Sequence, residues 1–174
     1  MPIDAAKVAE RFANTHVLVV DDDPNMRKVV RALLASLGVR HIREAPDGPK
    51  GLDAVRNQAP DVVILDWEMP ELDGAGFMRM MRSPKTFPYP DVPVIMLTGH
   101  SQQSRVIEAI TVGVNEFLLK PVSRKALHDR LVAVLFFPRP TLRDGNYYGP
   151  APRKLAKMIH SDADEALANI VLLN

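Results

Sequence analysis

Residues 62–74 read Val62-Val63-Ile64-Leu65-Asp66-Trp67-Glu68-Met69-Pro70-Glu71-Leu72-Asp73-Gly74. The four leading residues are apolar and three of them are β-branched, a short unbroken run that suits a strand covered on both faces. The run stops on an acid, and Pro70 and Gly74 punctuate the loop that follows. Helical composition then resumes over 76–82, where the methionines are core filler rather than ligands. Trp67, beside the acid, reads as a partly exposed surface aromatic.

The same unit recurs on either side. Upstream, residues 16–20 form an apolar strand closed by Asp21-Asp22-Asp23-Pro24. Met26, Val29, Val30, Leu33, Leu34 and Leu37 then repeat at helical spacing up to Gly38, a favourable helix terminator. A second strand over 40–45 leads through Pro46-Asp47-Gly48-Pro49 into a helix over 50–57, with Leu52 and Val55 facing inward, broken at Ala59-Pro60. Downstream, residues 83–93 hold four prolines, too stiff and donor-poor for a helix, so they read as an enlarged surface connection. Strand 94–97, helix 104–112, strand 116–119 and helix 123–135 follow. Five βα units in series predict an α/β fold with a parallel sheet covered on both faces.

The chain has 174 residues, 47% hydrophobic and 25% charged, enough for one good core with a small appendage. Its formal charge of +1 supplies no global field to attract nucleic acid or anionic lipid. With no cysteine there are no disulfides or thiolate metal sites, which suits a reducing compartment and leads to a cytoplasmic expectation. Neither an apolar signal core in 1–14 nor a run of membrane-spanning length is present. Three regions are expected: an N-terminal segment (1–14), a main domain (15–135), and a linker with a partly helical C-terminal extension (136–174). Prolines, glycines and Tyr147-Tyr148 mark the linker, packed by its own aromatics or against the domain. Leu155, Met158, Ile159, Ala163, Ala166, Leu167, Ile170 and Val171 form an apolar stripe beyond it. His16, His41, His128 and His160 are scattered without zinc spacing and read as exposed or strand-edge residues.

In an open parallel sheet, ligands bind beyond the carboxyl ends of the strands. The first strand ends at Asp21 and Asp22, the third at Asp66, the fourth at Thr98 and the fifth at Lys120. Any one of these residue types is common in turns and caps, but together they bring three carboxylates, a hydroxyl and an ammonium to one edge. Clustered carboxylates repel, and a hard divalent cation such as Mg²⁺ relieves them while leaving room for phosphate oxygens. Lys120 and Thr98 suit the remaining oxygens of a phosphoryl group, with an Asp as acceptor.

Asp21-Asp22-Asp23-Pro24, Asp66-Trp67-Glu68-Met69-Pro70 with Asp73-Gly74, Leu97-Thr98-Gly99 and Lys120-Pro121, in this order and spacing, resemble the motifs of the response-regulator receiver (CheY-like) family over about residues 15–135. The resemblance implies a doubly wound five-stranded parallel sheet of order 2-1-3-4-5. It implies that Asp66 is the phosphoacceptor, and that Asp22, Asp66 and the Glu68 backbone carbonyl ligate Mg²⁺, with Asp21 acting through a metal-bound water. Thr98 and Lys120 would contact the phosphoryl group. Phe117 occupies the aromatic switch position coupled to Thr98, and Glu68 and His100 the positions that tune acyl-phosphate lifetime. By the residues alone, Phe117 is equally a core phenylalanine, and Glu68 and His100 are solvated loop residues.

The implied partners are a sensor histidine kinase or histidine phosphotransfer protein and a downstream protein target. That target would meet the face made by 104–112, 116–119 and 123–135. The first reading is a stand-alone receiver without nucleic-acid or membrane partners. A tail used for DNA binding or homodimer formation is the second, against which stand its short length and few bases. A phosphoaspartate-forming hydrolase is the third, disfavoured because its nucleophile would follow the first strand and a cap domain is lacking.

Overall fold

The computed structural model describes residues 3–99 and 103–152; His100 and the apolar stripe expected over 155–171 lie outside them. Five strands, β1 (His16–Val20), β2 (His41–Ala45), β3 (Val62–Asp66), β4 (Val94–Thr98) and β5 (Glu116–Leu119), pair in parallel in the order β2-β1-β3-β4-β5. The doubly wound sheet inferred from the sequence is therefore the observed one.

Alternation along each strand divides the interior into two cores. Leu18, Val20, Val63, Leu65, Val94 and Met96 face one side, where they meet α3 (Gly48–Asn57), α4 (Gly74–Met81) and α5 (Gln103–Thr111). Val17, Val19, Val62, Ile64, Ile95 and Leu97 face the other, under α1 (Ala5–Ala13), α2 (Pro24–Ser36) and α6 (Arg124–Phe136). Val62 through Leu65 are fully buried, each such side chain contributing about 1.5–3 kcal/mol by its removal from water. Acidic or hydroxyl caps fix where the helices begin. Asp23 accepts from the Asn25 N–H at 2.8 Å, Asp73 from Gly76 at 2.8 Å and Ser123 from Ala126 at 3.1 Å.

The N-terminal segment, which carries no element by its sequence, is a helix. Asp4 caps α1 by accepting from the Ala6 N–H, and Val8 and Phe12, one turn apart, pack into the core. Phe12 is fully buried, its ring set edge-on to His128. Two large apolar residues among Asp4, Lys7, Glu10, Arg11 and small alanines are a faint stripe by sequence, and only the tertiary contact makes it a docking face.

The proline-rich connection is less superficial than expected. Phe87 is buried, with the Arg56 guanidinium 4.9 Å above its ring. Prolines leave carbonyls without matching N–H donors nearby, and Arg82 supplies them. Its Nε donates to the Gly113 carbonyl at 3.0 Å, Nη1 to Pro90 and Val92 at 2.6 and 2.8 Å, and Nη2 to the Asn115 Oδ1 at 2.8 Å. Burial pushes this guanidinium down to about 10, still protonated at neutral pH.

After α6 the chain forms an antiparallel hairpin, β6 (Thr141–Asp144) and β7 (Tyr147–Pro150), turned at Gly145 with φ of 56°. Both packings open to this segment occur: within the hairpin the Tyr147 hydroxyl donates to the Pro150 carbonyl at 2.6 Å, and the hairpin also docks on the domain. The Tyr148 hydroxyl donates to Asp91 at 2.6 Å, and Arg139 donates to the Asn115 carbonyl. Gly113 is required there, because a Cβ would lie 2.7 Å from the Tyr148 carbonyl oxygen and φ is +87°. Among the described residues no helix is long and apolar enough to cross a membrane.

Candidate functional site

Strand register determines which loop residues meet. Val20 pairs with Leu65 across β1 and β3, so the next residues, Asp21 and Asp66, emerge side by side. Asp66 pairs with Leu97 on β4, placing Thr98 one residue beyond, and the Lys120 N–H donates to the Thr98 carbonyl at 2.9 Å. The residues singled out at the strand ends are thus gathered at one edge.

Asp21, Asp22 and Asp66 each offer a carboxylate oxygen, all within 4.8 Å of one another. Asp21 is fully buried, Asp66 nearly so, and Asp22 is exposed. The Asp66 Oδ1 accepts from Lys120 Nζ at 2.9 Å, and its carboxylate also accepts from the Glu68 N–H. Asp21 Oδ1 accepts from the Asp23 N–H at 2.9 Å. Its Oδ2 has no hydrogen-bond partner among the described residues, since Lys120 Nζ at 3.9 Å is near enough for charge attraction but too far for a hydrogen bond.

The electrostatics follow from this crowding. Burial, aided by the charges of Asp66 and Asp22, pushes the Asp21 carboxyl up to about 6 against the pull of the Asp23 N–H and Lys120. Burial also raises Asp66, only partly offset by its bond to Lys120. For Lys120, burial disfavours the ammonium, yet the bond to Asp66 and the surrounding carboxylates outweigh it and raise the pKa. A buried, unpartnered carboxylate oxygen beside two other acids is a donor set suited to a hard cation with oxygen ligands.

Thr98 is buried at the end of β4, and Phe117 on β5 is half-buried against the core that faces α3 to α5. Glu68 is exposed and pairs with Arg105 of α5 at 2.9 Å, tying the β3–α4 loop to the next helix. Arg105 carried no motif signal. Neither did Arg27, whose Nη1 donates to the Asp21 carbonyl at 2.7 Å while Nε meets Glu44 at 3.3 Å; its place one turn into α2 offered the only hint.

Trp67 corrects the surface reading, being 2% exposed. The loop folds back so that Gly74 donates to the Trp67 carbonyl at 2.9 Å, and a Cβ at Gly74 would lie 2.4 Å from the indole. Glu71, with φ of 68°, makes the reversal. Far away, His16 and His41 stack at 4.3 Å on the first residues of β1 and β2, in keeping with strand-edge positions.

Known proteins place this edge in context. The family model for the response regulator receiver domain matches residues 17–132. A chemotaxis protein CheY homolog of Campylobacter jejuni is 36% identical over 120 residues, 68% of this chain and 91% of its own. The structure of the Vibrio cholerae chemotaxis protein CheY4 superimposes with a TM-score of 0.62 at 30% identity, covering 70% of this chain and 98% of that one. The receiver domain of the Pseudomonas aeruginosa sensor histidine kinase PA1611 has a magnesium ion coordinated in its active-site cleft. It gives a TM-score of 0.60 at 30% identity over 68% of this chain and 94% of its own. With sheet order, acidic edge and a family match over most of its length in agreement, this chain belongs to the response regulator receiver domain family of two-component signalling.

Proposed function

We propose that Asp66 accepts a phosphoryl group, in a Mg²⁺-dependent reaction, from a phosphohistidine on a sensor histidine kinase or histidine phosphotransfer protein. The observation that carries this is the acidic trio with Asp21 Oδ2 unpartnered and Lys120 Nζ 2.9 Å from Asp66. An Asp66 carboxylate oxygen forms the new bond to phosphorus as the phosphorus–nitrogen bond to the donor imidazole breaks. Asp21, Asp22, Asp66 and the Glu68 carbonyl would hold Mg²⁺, which supplies neutralisation of the carboxylates and of the transferred group. Lys120 favours the ionised form of Asp66 and orients it before transfer; once Asp66 carries the acyl phosphate, the Lys120 ammonium would hold a phosphoryl oxygen, with the Thr98 hydroxyl on another.

Drawing Thr98 toward the phosphoryl group would open space for Phe117 to turn further inward, changing the surface of α5, β5 and α6 read by a downstream protein. Glu68 and His100 would set the lifetime by controlling entry of water. In this reading the chain is a cytoplasmic switch that holds one receiver (15–135) and a C-terminal extension (136–174). It catalyses only its own phosphorylation and dephosphorylation.

Intact-mass analysis after incubation with acetyl phosphate tests the proposal. A gain of about 80 Da, the mass of one phosphoryl group on an acyl acceptor, is expected only with Mg²⁺ and only in wild type, not in Asp66→Asn. No gain with Mg²⁺ in wild type, or an equal gain in Asp66→Asn, overturns it.

A further inference from the structure

The sheet has a second edge, at the amino ends of the strands, where the loop over 83–93, the C-terminal turn of α4 and the hairpin meet. A cavity of about 340 Å³ opens there, lined among others by Arg82, Lys85, Arg143, Asn146 and Tyr147. A second, also about 340 Å³, adjoins it through Arg82, Ser83, Asn146 and Tyr148 and adds Arg79. Each lies at the lower end of the size range of small-ligand sites.

The charge of the lining is one-sided. Four cations and no carboxylate line the two cavities, in a chain whose formal charge is only +1. Arg82 bonds solely to neutral oxygens, three carbonyls and one side-chain amide, so its buried charge is not neutralised by a contacting acid. The acids nearby stand outside the lining, although one of them pairs with the lining Arg79 and another, Asp91, attracts Arg82 without touching it. Glu108 pairs with Arg79 at 3.5 Å, and Asp91 accepts from the hydroxyls of Tyr148 and Thr141. Asp144 stands beside Arg143 on exposed β6. A buried cation in a polar concavity favours a compact anion of high charge over an apolar ligand.

We propose that this groove binds a phosphorylated small molecule, its phosphate groups meeting Lys85 and Arg143 over the positive floor made by Arg82. The site is separate from Asp66, which lies at the carboxyl edge, and does not depend on the proposed phosphotransfer. Its floor is joined to the receiver through Gly113 and Asn115, the residues that lead into β5.

Isothermal titration calorimetry of the full chain with inorganic pyrophosphate and with ATP, in metal-free buffer at low salt, tests this. Omitting Mg²⁺ keeps phosphates from the acidic edge, and Asp66→Asn should bind equally well. Saturable one-to-one binding is expected, weakened at least tenfold, or about 1.4 kcal/mol, in Lys85→Gln/Arg143→Gln. Both positions are exposed, so the variant should unfold at the wild-type temperature. Equal affinity for the two probes assigns the site to phosphate groups alone, and tighter ATP to a nucleotide. No saturation by either probe, or unchanged affinity in the double variant, overturns the proposal. So does tight binding of a short single-stranded oligonucleotide with no response to either probe.

Discussion

Asp21→Asn should make the metal-free protein more stable while removing its response to Mg²⁺. Lifting the Asp21 carboxyl from its ordinary 3.8 to about 6 means that ionising it in the folded state costs about 3 kcal/mol, at ~1.4 kcal/mol per pH unit. The sign follows from the acid holding its proton more tightly when folded. Wild-type stability from this group is greatest below pH 3.8, declines as pH rises, and reaches its full deficit above about pH 6. Asparagine carries no charge, so it escapes the deficit. Its oxygen can keep the bond from the Asp23 N–H, and its new N–H groups face Asp22 and Asp66. Lost attraction to Lys120 at 3.9 Å subtracts a little, leaving an expected gain of about 1–3 kcal/mol near neutral pH. Urea unfolding of both proteins without metal, near pH 7.5 and near pH 4.5, measures it, and the gain should fall to about 1 kcal/mol or less at the lower pH. Millimolar Mg²⁺ should stabilise wild type and not the variant, by linkage. A variant less stable than wild type at neutral pH without metal, or a gain of the same size at both pH values, refutes the reasoning.

Gly74→Ala places a Cβ 2.9 Å from the Trp67 Cα as well as against its ring; backbone cannot yield as a side-chain tip does, so a loss of about 2–3 kcal/mol and weaker Mg²⁺ binding should appear together in thermal unfolding with and without metal. Arg105→Ala removes the ion pair that Glu68 makes at 2.9 Å, and should change the autodephosphorylation rate at least about twofold while leaving stability within ~0.5 kcal/mol, as for an exposed pair; identical decay of the two phosphoproteins would show that the pair does not gate water. Phe12→Ala should cost about 3 kcal/mol and release the α1 amides in hydrogen exchange, whereas retained protection would mean that α1 is held by something other than its buried ring.

The acidic edge was legible because the signals that build it are local. Val62 to Leu65 and His16 to Val20 are strands by composition, and each is followed at once by an acid, so strand adjacency alone brings Asp21 to Asp66. What escaped was decided by contacts across long sequence separations. Trp67 is buried because the chain reverses at Glu71 and sets Gly74 beneath the ring. Arg105 and Arg27 reach the site from helices through flexible side chains that carry no motif. Arg82 carries no signal by sequence beyond closing the helix over 76–82, and only the carbonyls of Pro90, Val92 and Gly113 converging on it make it a core residue. The segment after α6 reads by sequence only as a linker, and the surface its hairpin docks on is assembled from Asp91, Gly113 and Asn115, three separate points along the chain.

The burial of Trp67 makes the protein its own two-channel optical instrument. It is the sole tryptophan, packed away from water one residue from Asp66, so long-wavelength emission arises only at the acidic edge. The three tyrosines, Tyr89, Tyr147 and Tyr148, all belong to the loop and hairpin at the opposite edge. Excitation confined to the indole therefore observes one end of the sheet, and the tyrosine band observes the other. An event at Asp66 that stays local changes the first signal alone, whereas one transmitted through the sheet changes both.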